Sequence, residues 1–143
     1  MRAIKCIPVF LIAILLPATT VIGAEYNPSV KVRKLLDTET TNLGQKIHYP
    51  VSSPAHIQSL LVELDPGAET GHHQHPILTY GYILEGSIEI RYDGGRSRVY
   101  RKGDAFIEAV NTVHNGKNIG KTPAKILVVF ISDKSQKPVI RKK

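Results

Sequence analysis

The stretch SIEIRYDGGRSRVY, residues 87–100, restricts the fold more than any other part of the chain. Ile88, Ile90 and Tyr92 alternate with Ser87, Glu89 and Arg91, the period-2 pattern of a strand with one buried face. Asp93–Gly95 then offers the left-handed backbone of a tight hairpin, and Arg96–Tyr100 returns. One hairpin cannot bury its apolar face alone, so further strands are required. Ile57–Leu64 is the next strongest, ended by the turn at Asp65–Gly67, and Leu78–Leu84 and Ala105–Val110 follow turn residues in the same way. Ala124–Ser132 is the most apolar run and reads as buried on both faces, while Val30–Leu36 and Lys46–Val51 read as edge strands. Beyond residue 24 no segment sustains a 3.6-residue period with helix caps. Short strands at close spacing predict an all-β sandwich or barrel, and 143 residues suffice for one such domain.

The N-terminus is set apart from that domain. Arg2 and Lys5 precede an 11-residue apolar run, Cys6–Leu16, and PATTVIGA leads from Pro17 to small residues at Gly23 and Ala24. This order is that of a secretory signal peptide over residues 1–24, and the run is too short to span a bilayer. The expected organisation is residues 1–24 as leader, 25–56 as extension and edge strands, 57–132 as barrel and 133–143 as a basic tail. The mature protein is then secreted or periplasmic and not membrane-bound. The single cysteine, Cys6, leaves with the leader, which excludes disulfides and thiolate chemistry from the domain.

The formal net charge is +7, with the excess concentrated late: DKSQKPVIRKK holds five Lys/Arg against one Asp. No nucleic-acid motif or aromatic–basic interleaving accompanies it, so no nucleic-acid partner is expected. The tail reads as solvated and partly disordered.

Three of the six histidines fall in GHHQH, residues 71–75. In a strand, residues i and i+2 share a face, so His73 and His75 point the same way and His72 points away as a bystander. Two converging imidazoles chelate a divalent ion, and His114, just after Ala105–Val110, is placed to join them if the two strands lie close.

GAETGHHQHPILTYGYILEG, residues 67–86, resembles the first motif of the cupin family: G, five residues, H-x-H, three or four residues, E, six residues, G. Gly67, His73, His75 and Gly86 fall on it in register. GDAFIEAVNTVHNGKN, residues 103–118, is similar to the second motif, G, five residues, P-x-G, two residues, H, three residues, N, with Gly103, His114 and Asn118 matching. The resemblance covers roughly Ile57 to Ser132. It implies a single jelly-roll β-barrel with a divalent metal (Fe, Mn, Ni, Cu or Zn) held near its middle by His73, His75 and His114. It also implies a homodimer formed by sheet augmentation, for which Val30–Leu36 and Lys46–Val51 are the natural strands.

Two departures from the family pattern stand out. The glutamate ligand of the first motif falls at Thr79, or at Tyr80 if the loop is longer, and neither is a carboxylate. The P-x-G turn is Ala109-Val110-Asn111 here, and asparagine tolerates the left-handed backbone that glycine supplies. Glu85 stands beside a turn glycine and is expected to face solvent; Glu108 lies between Ile107 and Ala109 and is expected to do the same, the alternative being an inward-facing side chain. Tyr80 and Tyr82 are candidate acid/base or hydrogen-bonding groups, as in some cupin lyases, if either faces the cavity. Three imidazoles with open coordination positions favour a small metalloenzyme, a dioxygenase, lyase or isomerase acting on an oxygen-bearing small molecule. The alternative is a non-catalytic small-molecule binder of the cell envelope.

Overall fold

The computed structural model describes residues 33–48, 55–133 and 135–142. The chain divides into Met1–Arg33 and Lys34–Lys143. The first unit lies outside the described residues apart from Arg33, and the expected leader lies there with it. Among the described residues there is no helix, hence none long and apolar enough to cross a membrane.

The described residues of Lys34–Lys143 carry nine strands: β1 (Ala55–Leu64), β2 (His73–Gln74), β3 (Leu78–Glu85), β4 (Ser87–Tyr92), β5 (Ser97–Arg101), β6 (Ala105–Ile107), β7 (His114–Asn118), β8 (Ala124–Asp133) and β9 (Ile140–Arg141). They form two antiparallel sheets, in the orders β1-β8-β3-β6 and β5-β4-β7-β2-β9. The inner faces meet on Leu64, Ile83, Ile88, Ile90, Phe106 and Ile126. The hairpin read from the sequence forms as expected, with Ile88, Ile90 and Tyr92 buried and Gly94 and Gly95 at positive φ. β8 departs from expectation. It buries Ala124, Ile126, Phe130 and Ser132, while the residues between them are only half-buried. It is therefore an alternating strand of a two-sheet sandwich, not one covered on both faces.

Two terminal expectations need correction. Residues 33–36 form no strand, and Lys46 makes one isolated bridge, to Thr40; residues 30–32 and 49–51 lie outside the described set. The segment works as a strap instead. The Gln45 side chain donates to the Val110 carbonyl (3.0 Å) and accepts from its N–H (2.8 Å), and the Asn42 N–H donates to Ile107 O (2.8 Å). A side-chain amide that matches both peptide groups of Val110 replaces a neighbouring strand there. The basic tail is not a loose appendage either. Ile140 and Arg141 pair with Gln74 and His73 as β9, and Lys142 N–H donates to His72 O at 3.0 Å. Backbone pairing with the otherwise unpaired edge of β2 orders this segment despite its charge.

Asn118 ties the end of β7 to two loops. Only 1% exposed, it donates to Leu64 O and Thr122 O (2.9 Å each) and accepts from the Gly120 N–H (2.8 Å). Asn118→Ala leaves these main-chain groups without partners and is expected to cost about 2 kcal/mol. For a domain this size, that lowers the melting temperature by roughly 10 °C in a thermal melt. A shift below a few degrees would show that water replaces the side chain.

Candidate metal centre

His73 lies opposite His114 across the β2–β7 pair, so both imidazoles leave the same face of the sheet. His75, two residues on, joins that face. Its backbone is held by a bridge to Val110 and by the Asn111 N–H, which donates to His75 O at 2.8 Å. Asn111 adopts φ +53°, the left-handed turn that the sequence anticipated there. The three ring centroids lie 4.4–5.2 Å apart, and one ligand atom from each ring falls within 4.8 Å of the others.

The tautomers are fixed by the main chain. Nδ1 of His73 lies 2.8 Å from Gly71 O, that of His75 2.7 Å from Pro138 O, and that of His114 2.9 Å from Thr112 O. A carbonyl oxygen only accepts, so each Nδ1 must donate. In the neutral ring the Nε2 lone pair is then left facing the interior. Buried His114 Nε2 has no hydrogen-bond partner, one of two such side-chain atoms among the described residues, with Asn42 Oδ1. Three converging lone pairs, one of them orphaned, fit a divalent cation, and outer carbonyls that set the tautomer are the usual support of histidine ligands. Burial holds the His73 imidazole below its ordinary pKa, which favours the neutral, ligating form.

Glu108 corrects the expectation of a solvent-facing side chain. It points inward, its side chain only 12% exposed, with Oε2 2.9 Å from His75 Nε2 and 3.4 Å from His114 Nε2. The second distance is a contact without hydrogen-bond alignment, so His75 is the firmer partner. Parity explains the reversal. Phe106 is the largest side chain of the segment and takes the interior at 4% exposure, so the residue two positions on takes it as well. Burial opposes the charge of Glu108, but the imidazoles of His114 and His75 outweigh it and hold the carboxyl at about 2. His114 responds in kind: burial works against its charge, and Glu108 more than compensates, raising its pKa.

Residues 60–130 match the Cupin domain family. The chain belongs to the cupin family. Among curated relatives, the cupin-domain-containing oxidoreductase srdD of Neurospora crassa is 26% identical over 123 residues, 84% of this chain and 58% of the relative. Germin-like protein subfamily 2 member 2 of Arabidopsis thaliana is 33% identical over 76 residues, covering 50% and 35%. This cupin spans about half the length of the first curated relatives it matches. Among solved structures, an oxalate oxidase in complex with the substrate analogue glycolate superposes with a TM-score of 0.51 at 27% identity, covering 59% of this chain and 45% of that one.

In this cupin the histidines open onto a cavity of about 180 Å³ between the sheets. The walls are largely apolar, with Ile88, Ile90, Ile126, Val128 and Phe130 among them. Thr79 and Gly81 line it, and the alternation of β3 turns Tyr80 and Tyr82 to the opposite face. Neither tyrosine reaches the cavity, so neither is placed for acid/base work there. His72 is exposed, as its parity required, and so is Glu85, 3.4 Å from Lys125. Arg141 of β9 was not foreseen as a site residue. Among the described residues it is the only Lys or Arg lining the cavity, brought there by its pairing with His73. No signal in the tail, read as a charge run, pointed to it.

Proposed function

We propose that this cupin is a metal-dependent oxidoreductase that holds one divalent transition-metal ion on His73, His75 and His114 and acts on a small oxygen-bearing anion. The observation that carries the reading is the set of three Nε2 lone pairs, pinned by main-chain carbonyls, facing one cavity between the sheets. When bound, the ion supplies a Lewis-acidic or redox centre at that point. The protein's own residues do the rest. The aliphatic walls exclude water, and the volume admits only a small molecule. The Arg141 guanidinium beside His73 is placed to receive a carboxylate through charge-assisted hydrogen bonds. The similarity to cupin-domain oxidoreductases and to an oxalate oxidase supports the same class. On the strength of the leader-like residues 1–24, we place the mature protein outside the cytoplasm.

Calorimetric titration of the metal-loaded protein tests the reading with oxalate, glycolate and the neutral diol ethylene glycol. The two acids are expected to bind and the diol not to. Arg141→Gln is expected to weaken the acids roughly 10-fold or more, the worth of a hydrogen bond to a charged group. Oxygen consumption with the acids that bind then separates oxidoreductase from binding protein. Equal binding of acid and diol would remove the anion from the reading.

A further inference from the structure

The family glutamate is missing from β3, yet a carboxylate stands in the site. We infer that Glu108 is the fourth metal ligand, the carboxylate having moved from the Thr79 position on β3 to the facing position beyond β6. The inference rests on the proposed metal site.

The two positions are neighbours across one ladder. Tyr80 pairs with Ile107, and one step further the Glu108 N–H donates to Thr79 O at 2.9 Å. Thr79 is fully buried and lines the cavity, with its hydroxyl turned back on Ile77 O at 3.3 Å. A carboxylate at either position therefore enters the same space from adjacent strands.

Two of the three distances are compatible with ligation; Glu108 lies outside the group within 4.8 Å that includes His73, so a shared ion draws its carboxylate towards that ring. Two donors bound to one ion at about 2.1 Å lie ~3.0 Å apart at a right angle and ~3.4 Å apart at the tetrahedral angle. Glu108 Oε2 stands 2.9 Å and 3.4 Å from the Nε2 atoms of His75 and His114. The tautomers add a second argument. His75 Nδ1 already donates to Pro138 O, so its neutral ring presents a lone pair to Oε2. A lone pair against a carboxylate oxygen at 2.9 Å is repulsive unless a cation joins them. A metal ion serves both of these contacts and the orphaned His114 Nε2 together.

Cobalt(II) is the probe, because its visible absorption reports the ligand set independently of activity. Affinity is measured by competition with a chromophoric chelator, and folding by circular dichroism. Wild type is expected to take one Co(II) per chain. Glu108→Gln, close to isosteric, is expected to fold and to bind Co(II) at least ~10–100-fold more weakly, the loss seen even for outer partners of a metal site, with a changed spectrum. The double variant Thr79→Glu/Glu108→Ala returns a carboxylate from β3 and is expected to recover most of that affinity. Wild-type binding with an unchanged affinity and spectrum in Glu108→Gln would overturn the inference and leave the three-histidine site standing. Failure of the wild type to bind Co(II) would overturn the metal reading itself, and the role of Glu108 with it. Should the double variant not fold, Glu108→Asp, which draws the carboxylate back by one methylene, gives the second comparison. Its affinity is expected between those of wild type and Glu108→Gln, and an affinity equal to wild type would count against ligation.

Discussion

Chelation lowers the melting temperature of the wild-type protein by more than about 10 °C and leaves that of His114→Ala where it was. A ligand that binds only the folded state stabilises it by about 4 kcal/mol when its free concentration is about 1,000 times its dissociation constant. A domain of this size melts ~4–8 °C lower per kcal/mol lost. His114 sits opposite His73 and in contact with Glu108, so its removal breaks the set at its centre. Its ring also packs 5.7 Å from that of Tyr92, and the alanine variant loses this packing whether or not metal is present. Comparing each protein with itself, with and without chelator, cancels that loss. Elemental analysis should find about one transition-metal ion per wild-type chain and almost none in the variant. A wild-type melt indifferent to chelator would remove the metal from the account.

Gly86→Ala is expected to be strongly destabilising. Gly86 joins β3 to β4 with φ +75°, a conformation that costs an L-residue roughly 1–2 kcal/mol. The added Cβ would also stand 2.9 Å from Ala124 Cα and 3.0 Å from Pro123 O, which are backbone atoms that cannot swing aside. Overpacking of this kind adds about 1–3 kcal/mol. Gly95→Ala is the internal control. Its φ of +82° is similar, but nothing lies within 4 Å of its Cβ position, so only the backbone term applies. Chemical denaturation should rank the variants in that order. Equal losses would mean that the β8 backbone yields to the new methyl.

Much of the barrel was legible because alternation is a strong signal wherever one face is buried. Ile88, Ile90 and Tyr92 announced β4, and its two following glycines announced the turn. The convergence of His73 and His75 followed from parity alone, and the spacing of the two motifs placed His114 with them. Glu108 was misread because two parities competed over Ala105–Val110. Ala105, Ile107 and Ala109 offered one apolar face, Phe106 and Val110 the other; the large ring of Phe106 took the interior and brought Glu108 with it, while Ala109 is buried as well. The tail was misread because composition describes solvation and says nothing of an unpaired strand edge elsewhere. That edge belongs to β2, a strand of two residues that no sequence pattern reveals as needing a partner.

The hydrogen bond from His75 Nδ1 to Pro138 O joins positions 63 residues apart. It makes the seating of β9 and the orientation of a metal ligand parts of one equilibrium. Thermodynamic reciprocity then applies: whatever factor the ion contributes to the seating of β9, the seating of β9 contributes to the affinity for the ion. Amide exchange at Ile140–Lys142 is then expected to slow when the proposed site takes up its ion.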